Sequence, residues 1–306
     1  MFANLLPPQV HVFVRDWLSA NQVLLKSRDG HVLIDSAYVR HVPLTLALLE
    51  SPRGLGAEPL SKLVNTHGHS DHIGGNAAIA RKYGCPIAVP LGEAKAIEEW
   101  DQRALLLDYA GQRADRFTAD EVVPPDTSHV WGDLEWRALA APGHDMGALV
   151  YWNAEHRILI SGDALWERGF GLVLPRELDP AALPATRATL DRIAALGARV
   201  VIPGHGEPFT GVTAALERAY ERLAAFEADP VRVARYVAKA LLSFTLLDVR
   251  RMSLTELPEH FETVGIYRDL NTALFRMPAA DMAAMIVGEL ERAGAVRRDG
   301  GFLVPS

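Results

Sequence analysis

Between residues 66 and 75 the chain reads Thr66-His67-Gly68-His69-Ser70-Asp71-His72-Ile73-Gly74-Gly75, placing three imidazoles and one carboxylate within six positions. At this chain's content of His and Asp, chance produces H-x-H-x-D-H in about one chain in a thousand. Neutral imidazole together with carboxylate suits zinc, iron, manganese or cobalt, whereas calcium and magnesium favour all-oxygen sites. The fold must therefore hold one short loop around a transition metal. Gly68 lets the loop turn back between ligands, and Gly74-Gly75 let the next helix pack close behind it. The loop is flanked by a buried-strand pattern at Lys62–Thr66 and a helical pattern at Asn76–Tyr83 closed by Gly84.

Strand and helix patterns alternate through the first two-thirds of the chain, which implies a layered α/β architecture. Val10–Val14, Gln22–Lys26 and His31–Asp35 read as strands, the last two joined by a tight Ser27-Arg-Asp-Gly30 turn. A helix follows at Pro43–Glu50, and residues 93–127 read as a helical insertion near the site. Strands return at Glu135–Ala141, Ala148–Trp152 and Arg157–Ser161, then a helix at Pro184–Leu196 and a strand at Arg199–Pro203. Beyond residue 210 the texture changes to helical patterns at Thr213–Glu227, Val231–Leu242, Ser253–Phe261 and Ala279–Ala293, then a hairpin turning at Asp299-Gly300. Helices followed by a hairpin suggest a winged helix. The expected division is a catalytic domain over 1–210 and a helical, winged-helix-like domain over 211–306.

Lys plus Arg number 31 and Asp plus Glu 38, a net charge of −7 that disfavours nucleic acid as a partner. Residues 211–306 hold 12 basic and 13 acidic side chains, net −1, which leaves −6 for 1–210, so neither part is basic. No run of 18 apolar residues is present, and Met1–Pro8 lacks the basic and apolar regions of a leader, so neither membrane spanning nor export is expected. The single cysteine, Cys85, reads as a small core residue, which excludes an intramolecular disulfide and fits the cytoplasm. Apolar helical faces such as Met277–Leu290 allow a homodimer.

Four residues on one loop cannot surround two ions, so a dinuclear site needs further ligands at later strand ends. Three stand beside glycines after apolar runs: His144 in Pro142-Gly143-His144-Asp145, Asp163 in Ser161-Gly162-Asp163, and His205 in Pro203-Gly204-His205-Gly206. His11, His31, His41, His129, His156 and His260 have no matching context.

H-x-H-x-D-H followed by P-G-H, S-G-D and P-G-H-G resembles the metallo-β-lactamase superfamily of hydrolases over residues from about 10 to 210. The resemblance implies a four-layer αβ/βα sandwich with two divalent transition metal ions at one edge, zinc first, with iron or manganese as alternatives. It implies one metal held by His67, His69 and His144, the other by Asp71, His72 and His205, and Asp163 bridging them. Asp35 matches an acidic residue that supports the ligand loop, or else caps its strand. The commonest lactamases place Cys where Asp163 stands, which disfavours β-lactam hydrolysis here. Absence of a flavodoxin module and the presence of His69 set aside the flavo-diiron branch.

The chain then resembles the glyoxalase II, thioesterase, lactonase and phosphodiesterase groups. The implied reaction is cleavage of a small-molecule thioester or related acyl ester by a hydroxide held between the metals, with Asp71 as the catalytic carboxylate. Trp166, Arg168, Phe170 and Tyr267 are the candidate substrate contacts. The alternatives are a mononuclear iron persulfide dioxygenase using His67, His144 and Asp163, a lactonase, and a phosphodiesterase or nuclease whose Arg297-Arg298 touch phosphate. A non-enzymatic regulatory module with a structural metal is the rival of another class.

Overall fold

In a computed structural model describing residues 5–306, two sheets face each other. The first runs, in sequence order, through β1 (Val10–Phe13), β2 (Gln22–Leu25), β3 (His31–Ile34), β4 (Leu60–Val64), β5 (Ile87–Pro90) and β6 (Glu121–Val123). The pairs from β1 to β3 are antiparallel, and those from β3 to β6 are parallel. The helices α1 (Val42–Glu50), α2 (Ser70–Ile73), α3 (Asn76–Tyr83) and α4 (Ala94–Glu99) lie in the connections between them. The second sheet comprises β7 (Ser128–Trp131), β8 (Leu134–Ala140), β9 (Leu149–Asn153), β10 (Ile158–Gly162) and β11 (Val200–Pro203). Only β10 and β11 are parallel there, joined by the crossover helix α5 (Ala182–Leu196).

The side-chain period of two explains the layering. Val23, Leu25, Val32, Ile34 and Val64 face inward onto Trp136, Ala138, Tyr151, Ile160 and Ile202 of the second sheet. Their neighbours Leu24, Leu33 and Leu63 face outward onto Leu49, Ile73, Ile79 and Ile97 of the helices. On the far side, Leu139, Val150, Leu159 and Val201 of the second sheet meet Leu190 and Ile193 of α5. Strands buried on both faces read as continuous apolar runs, which is how they appear in the sequence. The result is the four-layer αβ/βα sandwich.

The rest is α6 (Val212–Ala228), α7 (Pro230–Val249), β12 (Met252–Ser253), α8 (Leu257–Thr263), α9 (Gly265–Leu270), a π turn over Asn271–Phe275, α10 (Ala279–Arg292), and the hairpin β13 (Val296–Asp299) and β14 (Phe302–Pro305). The Asp229 side chain accepts from Arg232 N at 3.0 Å and caps α7, with Pro230 in its first turn. The hairpin gains β12 as a third strand, paired with β14. One apolar cluster runs without a break across residue 210, from Leu159 and Phe209 to Val237, Leu242 and Met282.

Two sequence expectations are corrected. Residues 93–127 are mostly irregular: α4 ends at Trp100, held at φ 54°, and only a 3-10 turn at Asp108–Ala110 follows before β6. Leu105, Leu107 and Phe117 are anchored in the core there, so burial and not helix periodicity set their spacing. Ser253 pairs with Phe302 instead of opening a helix. The apolar face of α10, with Met282, Ile286 and Leu290, packs into this chain's own core.

Candidate metal centre

The loop between β4 and α3 gathers the first candidate ligands. Asp35, just past β3, sits at φ 61°, a conformation that costs a non-glycine residue about 1–3 kcal/mol. From there its carboxylate accepts from Thr66 N and Thr66 Oγ1, each at 2.8 Å, and bonds Nδ1 of His72 at 2.8 Å. Behind the loop, the single Ser36 hydroxyl proton is shared between His72 O, 2.9 Å from Oγ, and Asn76 Oδ1, 2.6 Å from it, and Asn76 Nδ2 donates to Asn65 Oδ1 at 2.7 Å. Close packing requires the glycine at position 75, where a Cβ would lie 2.3 Å from the backbone oxygen of Ser36.

All seven residues singled out in the sequence converge, and they form two groups. In one, His67, His69 and His144 present ring nitrogens to a common point, with His69 Nδ1 2.8 Å from His144 Nε2. In the other stand Asp71, His72, Asp163 and His205, with Asp71 Oδ2 2.9 Å from His205 Nε2. The Asp163 carboxylate lies between them, Oδ2 3.4 Å from His144 Nε2 and Oδ1 3.4 Å from His72 Nε2. Nε2 of His67 and Nε2 of His72 are fully buried and hydrogen-bond to no described protein group. Buried polar atoms are nearly always partnered. Two such unpartnered ring nitrogens, that of His72 3.4 Å from Asp163 Oδ1, fit cation binding, so the donor set suits the metals the sequence implies.

The electrostatics agree. Burial holds His67 well below its ordinary pKa, reinforced by the neighbouring imidazoles. Burial and His144 push His69 down to about 4, so both rings are neutral donors at neutral pH. Burial alone would raise Asp163, but His205 and His72 hold it well below the usual carboxylate range. His72 moves the other way: Asp35, Asp71 and Asp163 overcome burial and raise it.

Supporting contacts fix the candidate ligand rings. His144 Nδ1 bonds the carbonyl of Leu172, and His69 Nε2 lies 3.5 Å from Asp145 Oδ2. Trp166 Nε1 donates to Asp163 Oδ1 at 3.2 Å, and Trp17, more than half exposed, stacks on His205 with ring centroids 4.5 Å apart. Asp145 sits next to His144, a candidate ligand in the sequence, but Trp17 and Gln112 carry no local pattern that would mark them.

Of the candidate substrate contacts, Trp166 lines the cavity beside the centre. Phe170 packs on Phe226, and Tyr267 stacks on Phe261 in the core. Arg168 is exposed and outside that cavity. Arg297 and Arg298 lie on the exposed β13, in ion pairs with Asp299 and Glu291.

Residues 15–205 match the family model of the metallo-beta-lactamase superfamily. The chain is 30% identical to the hydroxyacylglutathione hydrolase of Bdellovibrio bacteriovorus over 112 residues, 37% of each chain. It is 32% identical to that of Rhodospirillum rubrum, over 37% of this chain and 36% of that one, so the match spans little more than a third of these relatives. The probable metallo-hydrolase YqgX of Bacillus subtilis is 30% identical over 157 residues, half of this chain and 70% of that protein. Among solved structures, a metallo-beta-lactamase family protein from Thermus thermophilus superposes with a TM-score of 0.58 at 22% identity, covering 98% of this chain and 99% of the other. The matched segment, the four-layer fold and the convergent His/Asp site lead to one assignment: the chain belongs to the metallo-beta-lactamase superfamily.

Proposed function

We propose that this chain is a metal-dependent hydrolase that cleaves a thioester or related acyl ester, with zinc as the first candidate metal and iron or manganese as alternatives. The observation that carries this reading is the Asp163 carboxylate, set 3.4 Å from a histidine of each group, where one side chain can serve both. His67, His69 and His144 would hold one ion, Asp71, His72 and His205 the other, and Asp163 would bridge. When bound, such a pair supplies a water of lowered pKa and a Lewis acid for an acyl carbonyl. Asp71 commits Oδ2 to His205; its Oδ1 is the atom that would take the attacking water's proton and return it to the leaving group. Asp35 and Asp145 keep His72 and His69 aimed at the centre. Hydroxyacylglutathione, named in two of the relatives, is a thioester, which supports acyl rather than phosphoryl chemistry.

The helical, winged-helix-like unit over 211–306 is assigned to shaping the site, because α7 walls the cavity beside it. No described helix is long and apolar enough to cross a membrane. The buried free cysteine is compatible with the cytoplasm as the working location. The test is elemental analysis of protein purified without added metal, paired with a panel of thioesters, lactones and phosphodiesters. About two ions per chain with thioester or ester turnover, both lost in Asp163→Ala, is the expected result. One iron per chain, with oxygen uptake on a persulfide and no hydrolysis, overturns it.

A further inference from the structure

Beside the centre lies a cavity of about 110 Å³ bounded by His69, Asp71, His144, Asp163 and His205 on one side. Its opposite wall comes from elsewhere: Tyr236, Ala240, Leu241 and Phe244 of α7 and Ile266 of α9. Among the described residues no lysine or arginine lines it. Of the neutral polar side chains that reach in from outside the ligand loop, among them Trp17, Trp166 and Tyr236, the one amide is Gln112, which is 7% exposed. Gln112 Oε1 accepts from Ser70 Oγ at 3.4 Å, which orients the amide, and the buried Nε2 donates to no described protein group. A buried donor left without a partner is costly, and a ligand acceptor at that point removes the cost.

From this we infer that the cavity binds the apolar acyl chain of a neutral ester or thioester, and that Gln112 donates to an oxygen of that substrate. The inference rests on the hydrolase reading for the bond cleaved, but the binding of the chain stands apart from it. An aliphatic chain is desolvated by Leu241, Phe244 and Ile266 without stranding a charge. A glutathione portion, with two carboxylates, would meet no cation on this wall, so the acyl chain and not a peptidic thiol belongs here. The wall is held rigidly to the sandwich: Tyr38 Oη donates to Asp248 Oδ2 at 2.9 Å at the end of α7, and Tyr38 meets Phe244 edge-on at 5.7 Å. Selection for acyl length is then a property of the 211–306 unit, acting at a centre whose ligands all come from the first 205 residues.

The experiment uses the full-length metal-loaded protein. kcat/KM is measured for thioesters of one small neutral thiol with acetyl through octanoyl groups, and binding of N-methyloctanamide against N-methylacetamide is measured by calorimetry. Burying each methylene is expected to raise kcat/KM about threefold until the chamber is filled, at least about 30-fold from acetyl to octanoyl. Ala240→Phe should collapse that ratio at least tenfold. Gln112→Leu should raise KM about tenfold with kcat largely kept. The wild-type series needs no variant, so a misfolded variant leaves the test intact.

Turnover that is flat or falling with chain length, with equal binding of the two amides, overturns the chamber and leaves the hydrolase standing. Preferential binding of N-methyloctanamide, abolished by Ala240→Phe, with no ester cleaved, keeps the chamber and removes the hydrolase reading. Neither turnover nor binding of the longer amide removes both.

Discussion

Asp35 Oδ2 lies 2.8 Å from Nδ1 of His72, a contact between residues 37 positions apart that turns the other ring nitrogen of His72 toward the centre. The same carboxylate holds Thr66 from two directions, so one side chain fixes both the ring and the loop. It does so from a left-handed backbone conformation, a strain retained where the surroundings demand that geometry. Asp35→Ala should weaken metal affinity about 10–100-fold, as removal of a ligand's hydrogen-bond partner typically does. Competition with a chromophoric chelator measures it, and an unchanged affinity would reduce Asp35 to a strand-end cap.

Gly75 allows α3 to pack directly against Ser36. Any Cβ there would sit 2.3 Å from a backbone oxygen, and Gly75 N must still donate to Ser36 Oγ at 3.0 Å. Gly75→Ala should therefore cost about 1–3 kcal/mol, seen as a lowered urea midpoint. Gly301, with open space around its Cβ position, serves as the control, and its alanine variant should stay within about 0.5 kcal/mol of the wild type. Equal effects at both positions would refute the packing account.

The legible part of this chain was the part where chemistry and periodicity coincide. His67 to His72 announced themselves by spacing, and His144, Asp163 and His205 by standing after apolar runs beside glycine. The structure brings all seven together, because in this sandwich each of those runs ends at the same edge. What stayed hidden was set by tertiary contact. Residues 93–127 carry helix-forming composition, yet Leu105, Leu107 and Phe117 are pinned individually in the core and the backbone between them winds irregularly. Phe170 and Tyr267, aromatic and near the motifs or in the appendage, went to the core, whereas Trp17, forty-nine positions before the loop, stacks on His205. Gln112 could not be singled out, since a glutamine becomes informative only when its amide is seen buried with a free donor.

Cys85 should be inert in the folded protein. It is buried between α3 and β5, and burial pushes its thiol up to about 11 from an ordinary value near 9. Two pH units mean about a hundredfold less thiolate, before any steric protection is counted. With an aromatic disulfide reagent at pH 8, native protein should react at least a hundredfold more slowly than protein in 6 M guanidinium, a rate comparison about as large as that ratio. Equal rates would place the thiol at the surface.

Asp248, at the end of α7, is the junction between the appendage and the sandwich. Its carboxylate takes two hydrogen bonds from Arg113, at 2.8 Å each, and one from the buried Tyr38 hydroxyl. Burial alone would raise its pKa, but these donors hold it below the ordinary value. A carboxyl depressed in the folded state contributes stability that is fully present above its unfolded value, near 3.9, and is lost as pH falls through the lower folded value. Asp248→Asn should therefore cost about 1–3 kcal/mol at neutral pH, since Tyr38 and Arg113 lose a charged acceptor. The gap in urea midpoint between variant and wild type should hold from pH 8 to about 5 and narrow below about pH 4. Because Phe244 lies one turn earlier on the same helix, the variant should also blunt the dependence of turnover on acyl length. A gap that widens on acidification would mean that Arg113 and Tyr38 do not stabilise the ionised carboxylate.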